Sequence, residues 1–438
     1  MPVLIQLEMR LVGHCTAVLQ QTPLLSSSWR SVMKLMVYSH DAFGLGNIRR
    51  MLAICQYLLK TLPDVSILVV SGSPALHSLR LPEGLDYIKL PCLGRDTAGR
   101  LTVKYLKSLP EDVVRLRSHL ILTAAAHFHP DLLIVDKKPE GLRNELRETL
   151  GYLSRHCPQT KRVLLLRDIL DAPENTIRQW KKNNHYQITQ KQYDQVWVVG
   201  AREIFDLPKE YRFPLPLRHK VRFCGYINRE LGRVGRPALR QQLGVQPEEP
   251  LVVVTPGGGG DGYAMVKAYL SAITAHPSPP KTVIISGPEM PTQEHQALSD
   301  QSNACPTVQM LSFTDDLMSY LNAADAVVAM GGYNTTCELL TLRKPAILIP
   351  RTRPVQEQWI RAQRLAERGL LQAIHPQRLT PQRLLAALQA ALRSPAPPPF
   401  RLDGLPCIAE LTAALLRSPV SLSATLNLTI CPAQLETA

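Results

Sequence analysis

From Lys34 onward the chain alternates short apolar runs with stretches whose apolar positions recur at helical spacing. KLMVYS, VSILVV, LDYIKL, DLLIVD, RVLLLRD, DQVWVV and VRFCGY are the runs of the first half. Most are separated by helical patterns such as Asn47–Lys60, NIRRMLAICQYLLK. Strands alternating with amphipathic helices predict a parallel, doubly wound sheet. The same grammar restarts with LVVVTP, KTVIIS, TVQMLS, AVVAM and AILIP. The expected fold class is therefore α/β, with two doubly wound Rossmann-like domains over 34–226 and 250–394 and a linker at 227–249. Residues 1–33 lack periodicity and are expected to lie outside the fold, with translation beginning at Met33. PAPPPF at 395–400 reads as a stiff connector. Pro406–Arg417 reads as a last amphipathic helix, and the end from Ser418 as frayed.

One stretch stands out within the second half. Ala326–Met330 stops at Gly331–Gly332, and a helical pattern is predicted from Thr335, with Cys337, Leu339 and Leu340 as its apolar positions. Paired glycines let a ligand approach the backbone closely, and the helix start offers unpaired amides that suit phosphate. Glu338 would stand one turn in, where a carboxylate can accept two hydrogen bonds from a ribose diol. The same residues also read as a capping box, Thr335-x-x-Glu338, which needs no ligand. Next come a buried strand within Pro345–Pro350 and a polar helix over Gln356–Arg368, whose start falls at the same end of the sheet. That end is where open parallel sheets bind ligands.

Other strand ends carry chemistry too. Gly44 and Gly46 follow the first strand, with His40 and Asp41 before them and Arg49 and Arg50 after. His40 is well placed for a general base. The run Gly257–Gly260 is longer than a tight turn needs, and Gly257, Gly259 and Gly262 satisfy G-x-G-x-x-G. No G-K-[ST] follows, which argues against a P-loop. The strand KTVIIS ends in Ser286–Gly287–Pro288 rather than an acidic residue, which argues against a nicotinamide site. A diphosphate held by loop amides fits better. Asp136 and Asp168 end two strands and are candidate carboxylates, with capping of the following turn as the alternative. No Ser/His/Asp or Cys/His constellation is legible, and His127 and His129 have no partner at metal-ligand spacing.

Composition changes the picture in one respect. Among 438 residues, 45% are apolar and 20% charged, as in an ordinary globular protein. The formal charge, however, is +14. Basic residues are spread out, without the aromatic interleaving of RNA-binding motifs, so no nucleic-acid partner is expected. A solvated face accounts for most of these charges, and as a partner an anionic membrane surface is preferred over nucleic acid. The nine scattered cysteines, without a C-x-x-C pair, are expected to be reduced thiols in a cytoplasmic protein. No run reaches the ~18 apolar residues of a transmembrane helix.

With these loops in place, the chain resembles the two-domain glycosyltransferases of family 28, most specifically over 305–370. A well-known member adds N-acetylglucosamine to a lipid-linked muramoyl peptide. The resemblance implies a GT-B arrangement, with two domains facing a central cleft, the acceptor bound by the first and a nucleotide-diphospho-sugar by the second. It implies Glu338 as the ribose ligand within MGGYNTTCE, and Gly331, Gly332, Asn334 and Thr335 as its loop and helix start. Gly257, Gly258 and Gly259 would hold the diphosphate together with Arg229, from the GYINR turn. Phe313 and Thr314 would offer a base-recognition edge, and Gln358 with Glu357 would meet the sugar. Gly44, Gly46 and Asn47 would form the acceptor-side loop. Asn47 stands where the family has a histidine, which leaves His40 or Asp136 as the base. Glu357 and Arg361 replace a Gln and an Asn, from which a different donor sugar is expected. Asp261 is expected to turn away from the diphosphate.

The expected activity is transfer of a hexosyl or N-acetylhexosaminyl group from a donor, UDP-linked by resemblance, to an acceptor hydroxyl. A sugar-nucleotide epimerase or hydrolase, or a non-catalytic sensor, are the alternatives. Neither a cofactor nor a metal is expected. The partners expected are the donor, a lipid-linked acceptor and the inner face of a membrane.

Overall fold

The computed structural model describes residues 32–39, 46–74, 81–96 and 100–417. The N-terminal part runs β1 (Met33–Ser39), α1 (Gly46–Thr61), β2 (Val65–Ser71), β3 (Leu85–Lys89), β4 (Leu93–Arg95) and β5 (Leu101–Val103). It continues with α2 (Pro110–Phe128), β6 (Leu132–Asp136), α3 (Arg147–His156), β7 (Lys161–Arg167), α4 (Pro173–Lys182) and α5 (His185–Gln192). It ends with β8 (Gln195–Val199), α6 (Leu207–Glu210), α7 (Leu215–Arg218) and β9 (Val221–Phe223). Beyond α8 (Arg236–Gln242) come β10 (Leu251–Thr255), α9 (Tyr263–Thr274), β11 (Lys281–Ile285), α10 (Thr292–Ser302) and β12 (Val308–Leu311). Then follow α11 (Leu317–Ala323), β13 (Ala326–Ala329), α12 (Tyr333–Leu342), β14 (Ala346–Leu348) and α13 (Glu357–Ala366). The last elements are β15 (Gln372–Ala373), α14 (Pro381–Arg393) and α15 (Gly404–Arg417).

Two parallel sheets result, ordered β3-β2-β1-β6-β7-β8-β9 and β12-β11-β10-β13-β14-β15. Register is continuous across the centre of each: Val37 pairs with Val69 and Ile134, and Val253 with Val283 and Val327. Each sheet is covered on both faces. Leu35 and Val37 enter one apolar cluster, while Met36 and Tyr38 enter another. Leu251 and Val253 are divided from Val252 and Val254 in the same way. Double burial explains why the strands read as unbroken apolar runs. The expected α/β class with two doubly wound domains is what forms. The β4–β5 hairpin and the two-residue β15 were not legible in the pattern.

One cluster passes from the first sheet into the second, through Tyr226 and Tyr333. The chain's last described helix, α15, returns to pack on α1. Its entry is fixed by backbone contact: the Gly404 amide donates to the Tyr226 carbonyl at 2.9 Å, and Ile227 bridges Asp403. Gly225, at φ +88, leaves no room for a side chain there, because a Cβ would lie 2.2 Å from Asp403 Oδ1.

Candidate functional site

Strand order reverses between β1 and β6 in the first sheet and between β10 and β13 in the second, which puts a crevice at each carboxyl edge. At the second crevice α12 starts at Tyr333, two residues earlier than expected, and Gly332 is its N-cap without any side-chain cap. Thr335 thus lies inside the first turn, and the capping-box alternative for Thr335 and Glu338 is overturned. A Cβ on Gly332 would meet nothing within 4 Å, so the helix start is open, whereas one on Gly331 would press on the Gln358 carbonyl at 3.1 Å. Glu338 is 2% exposed, and its Oε2 has no partner. Its Oε1 lies 3.9 Å from Arg49 Nη2 of α1. A buried carboxylate with an unused oxygen is costly unless a ligand satisfies it.

The glycine run beside this helix has two uses. A Cβ on Gly259, at φ +98, would sit 2.3 Å from the Ser286 carbonyl, and the Glu289 amide donates to the Gly258 carbonyl at 2.7 Å. Close packing of two loops therefore accounts for Gly259. Gly257 instead faces the start of α12, its Cβ direction reaching Thr335 Oγ1 at 4.0 Å. Asp261 turns to Arg351, with 3.4 Å between carboxylate and guanidinium.

At the start of α13, Gln358 Oε1 accepts from the Arg351 amide at 3.4 Å. Glu357 is 2% exposed; its Oε1 faces Arg351 at 3.6 Å and Arg167 at 3.8 Å, and its Oε2 has no partner. Arg361 does not face this pocket. Its guanidinium makes two 2.7 Å bonds to Asp168, at the end of β7 in the other domain, and a third to the Gly331 carbonyl at 2.9 Å. The Tyr226 hydroxyl donates to the same carboxylate at 2.7 Å. The substitution at Arg361 thus serves an interdomain clasp, which replaces the expectation that it alters the donor sugar. Asp168 is likewise a fixed counter-ion rather than a free carboxylate.

More contacts tie the domains at this point. Tyr333 lies against the Arg50 and Arg361 guanidinium groups and stacks on Tyr226. Burial, chiefly, holds the Tyr226 and Tyr333 hydroxyls well above their ordinary pKa. Asn334 Nδ2 donates to the Gly46 carbonyl at 2.9 Å and Asn334 Oδ1 accepts from Arg229 Nη2 at 2.5 Å. Arg229 Nε remains without a partner. The Gln356 amide donates to Asp171 at 2.8 Å.

On the acceptor side, Asp136 is wholly buried and paired with Arg50 at 2.6 Å, so it is a counter-ion and not an open base. Arg50 also donates to Asn47 Oδ1 at 3.4 Å. His40 and Gly44 lie outside the described residues. Phe313 is exposed, and Thr314 Oγ1 accepts from the Asp316 amide. They follow the edge strand β12, three strands from β13, or about 14 Å across the sheet. Glu338, Asn334, Arg229, Gly257 and Gly332 thus converge, while Phe313 and Thr314 stand apart. The sequence did not reveal Arg167 and Lys137, discussed below, nor the Tyr226–Tyr333 stack; nothing local to these residues marks them.

Residues 253–399 match the family model described as the glycosyltransferase family 28 C-terminal domain. An uncharacterised glycosyltransferase of Methanopyrus kandleri is 26% identical over 169 residues, 39% of this chain and 46% of that one. The UDP-N-acetylglucosamine–N-acetylmuramyl-(pentapeptide) pyrophosphoryl-undecaprenol N-acetylglucosamine transferase of Desulforudis audaxviator is 25% identical over 187 residues, 41% of this chain and 50% of that one. The chain thus spans about half the length of these curated relatives. The solved structure of Acinetobacter baumannii MurG superposes with a TM-score of 0.53 at 14% identity, over 88% of this chain and 94% of that one. The glycotransferase of kitacinnamycin gives 0.57 at 15% identity, over 88% and 95%. These two likenesses speak to the fold, which is the GT-B arrangement. Family model and frame agree: residues 253–399 match a glycosyltransferase family 28 C-terminal domain, set in a GT-B fold.

Proposed function

We propose that the protein transfers a hexosyl or N-acetylhexosaminyl group from a UDP-linked donor to an acceptor hydroxyl. The observation that carries this is Glu338: a buried carboxylate with an unused oxygen, beside a helix start left open at Gly332. The ribose diol would donate to Glu338, and the diphosphate would lie over the α12 amides and Gly257, with Arg229 beside it. The acceptor hydroxyl attacks the anomeric carbon as the bond to the diphosphate oxygen breaks. The departing charge is met by those amides and Arg229. In this route main-chain and arginine donors fill that role without a metal. His40 is the preferred base, because Asp136 is engaged by Arg50.

Thermal-shift measurements against a panel of sugar nucleotides test the donor. A ligand at 100 times its Kd stabilises by about 2.7 kcal/mol. UDP-sugars should shift the melting point, and a flat response to every sugar nucleotide would end the proposal. Once an acceptor is found, His40→Ala should lower kcat by roughly 10²–10⁴-fold with donor affinity kept.

The acceptor is proposed to be lipid-linked and met at the cytoplasmic face of a membrane. No described helix is long and apolar enough to cross one. Exposed Tyr105, Leu106 and Leu109 immediately precede α2, alongside exposed Lys104 and Lys107, and exposed Arg115, Leu116 and Leu120 follow within the helix. Because α2 leads straight into β6, its start lies at the carboxyl edge of the sheet, the edge that carries the cleft. Sedimentation with vesicles should rise with anionic lipid and fall with salt. Equal recovery with neutral vesicles would remove the membrane.

A further inference from the structure

Two cations at the floor of the cleft lack an adequate counter-charge. Arg167 ends β7, and Lys137 directly follows β6, its neighbour in the first sheet. The Arg167 guanidinium faces Glu357 at 3.8 Å, beyond hydrogen-bond length, and its Nε is buried without an acceptor. Among the described residues, the Lys137 side chain makes neither a hydrogen bond nor an ion pair. The nearby carboxylates are committed elsewhere: Asp136 holds Arg50, Asp168 holds Arg361, and Glu357 is shared with Arg351. Lys137 is held by its amide, which donates to the Leu165 carbonyl, at a φ of +68 that few side-chain-bearing residues adopt. Burial first, and Arg167 second, pull the Lys137 ammonium down to about 7, and burial also lowers Arg167. Lys137 and Arg167 are each only partly exposed, and positive charge so placed in excess of carboxylate is costly, which an anion would relieve.

We propose that Arg167 and Lys137 form an oxyanion subsite for a carboxylate or phosphoryl group carried by a substrate beside the transferred sugar. The inference rests on the donor assignment above and on the sugar meeting Glu357 and Gln358, as the resemblance implies; Arg167 faces Glu357. A planar guanidinium with an adjacent ammonium suits either anion. The group can belong to the donor, as in a uronic acid, or to the acceptor.

Calorimetric titration with UDP, UDP-glucose and UDP-glucuronate separates these sources. If the anion is on the donor, UDP-glucuronate should bind about tenfold tighter than UDP-glucose, an advantage lost in Arg167→Gln and Lys137→Met. If it is on the acceptor, the two bind alike, and inorganic phosphate binds the UDP-saturated protein but neither variant. Equal binding of both UDP-sugars together with no phosphate binding overturns the subsite. So does an anion preference that survives both substitutions. Both variants should melt at or above wild type, since each removes an uncompensated charge; marked destabilisation in both would make the cations structural partners and also overturn it. If UDP does not bind at all, the donor assignment fails, and phosphate binding to the free protein that disappears in both variants still supports the subsite.

Discussion

At the reversal point of the C-terminal sheet, β10 and β13 run into glycines: Gly257 at φ +80, and Gly332 opening directly onto α12. In the N-terminal sheet, β6 beside the reversal and its neighbour β7 run into charges: Asp136–Lys137 and Arg167–Asp168. The strand order around each reversal is the same, yet one edge presents backbone amides and the other presents fixed ions. Amides at a helix start can bind diphosphate without burying a formal charge when the site is empty. Ions must be neutralised in the empty state too, so two of the four strand-end charges are spent on Arg50 and Arg361. The two left over are those assigned to a substrate anion.

Breaking the clasp should give the largest effect. Arg361→Met leaves Asp168 buried and without a counter-charge, with only the Tyr226 hydroxyl and the Ile169 amide as donors, and should cost about 3–5 kcal/mol in denaturant unfolding. Adding Asp168→Leu to it should restore much of the loss. A cost under about 1 kcal/mol for the single change would mean that the clasp does not tie the domains.

Glu338→Gln tests the amide-lined edge. It should weaken UDP binding by about tenfold or more, since a charge-assisted bond is lost. Folding stability should hold, because no cap depends on Glu338. Unchanged affinity would remove Glu338 from the donor site.

The charged edge should show itself through pH. Lys137 gives up its proton near 7 when folded, and near 10.4 when unfolded. Between these values the unfolded chain holds the extra proton, so stability rises with pH. The destabilisation is full below about 7 and gone above about 10.4. Lys137→Met should therefore be more stable than wild type at pH 6, with the gap closing as pH rises to about 10.5. A constant gap would show that its charge is not the cause.

A control sits within the C-terminal domain. Unlike α12, α11 has a side-chain cap: Asp316 accepts from the Ser319 amide and pairs with Arg233. Burial alone would raise the Asp316 carboxyl, but hydrogen bonds from Ser319 and the Arg233 amide outweigh it and hold the pKa low. Asp316→Ala should cost about 1 kcal/mol. The loss should fade as pH falls below the unfolded value of about 3.9. Equal stability at neutral pH would show the cap to be idle.

Much of the architecture was legible in the chain, because a strand buried on both faces must be apolar at every position and a surface helix at every third or fourth. That requirement wrote β1, β6, β10 and β13 into the sequence as unbroken runs. The three-residue β4 and β5 carry too few positions to show a period. The glycines after β10 and β13 were visible because glycine is distinctive wherever it clusters. Their separate uses were not, since Gly259 answers to the Ser286 carbonyl and Gly257 to the start of α12. The start of α12 was misplaced at Thr335 because Gly332 caps it through the backbone, which leaves no side-chain signature. The charges were beyond reach for a different reason. Asp168 and Arg361 are 193 residues apart, and Arg50 and Asp136 are 86 apart. Neighbours in sequence say nothing about partners chosen by the order of strands, so only the assembled sheets decided which ions are neutral pairs and which are left for a ligand.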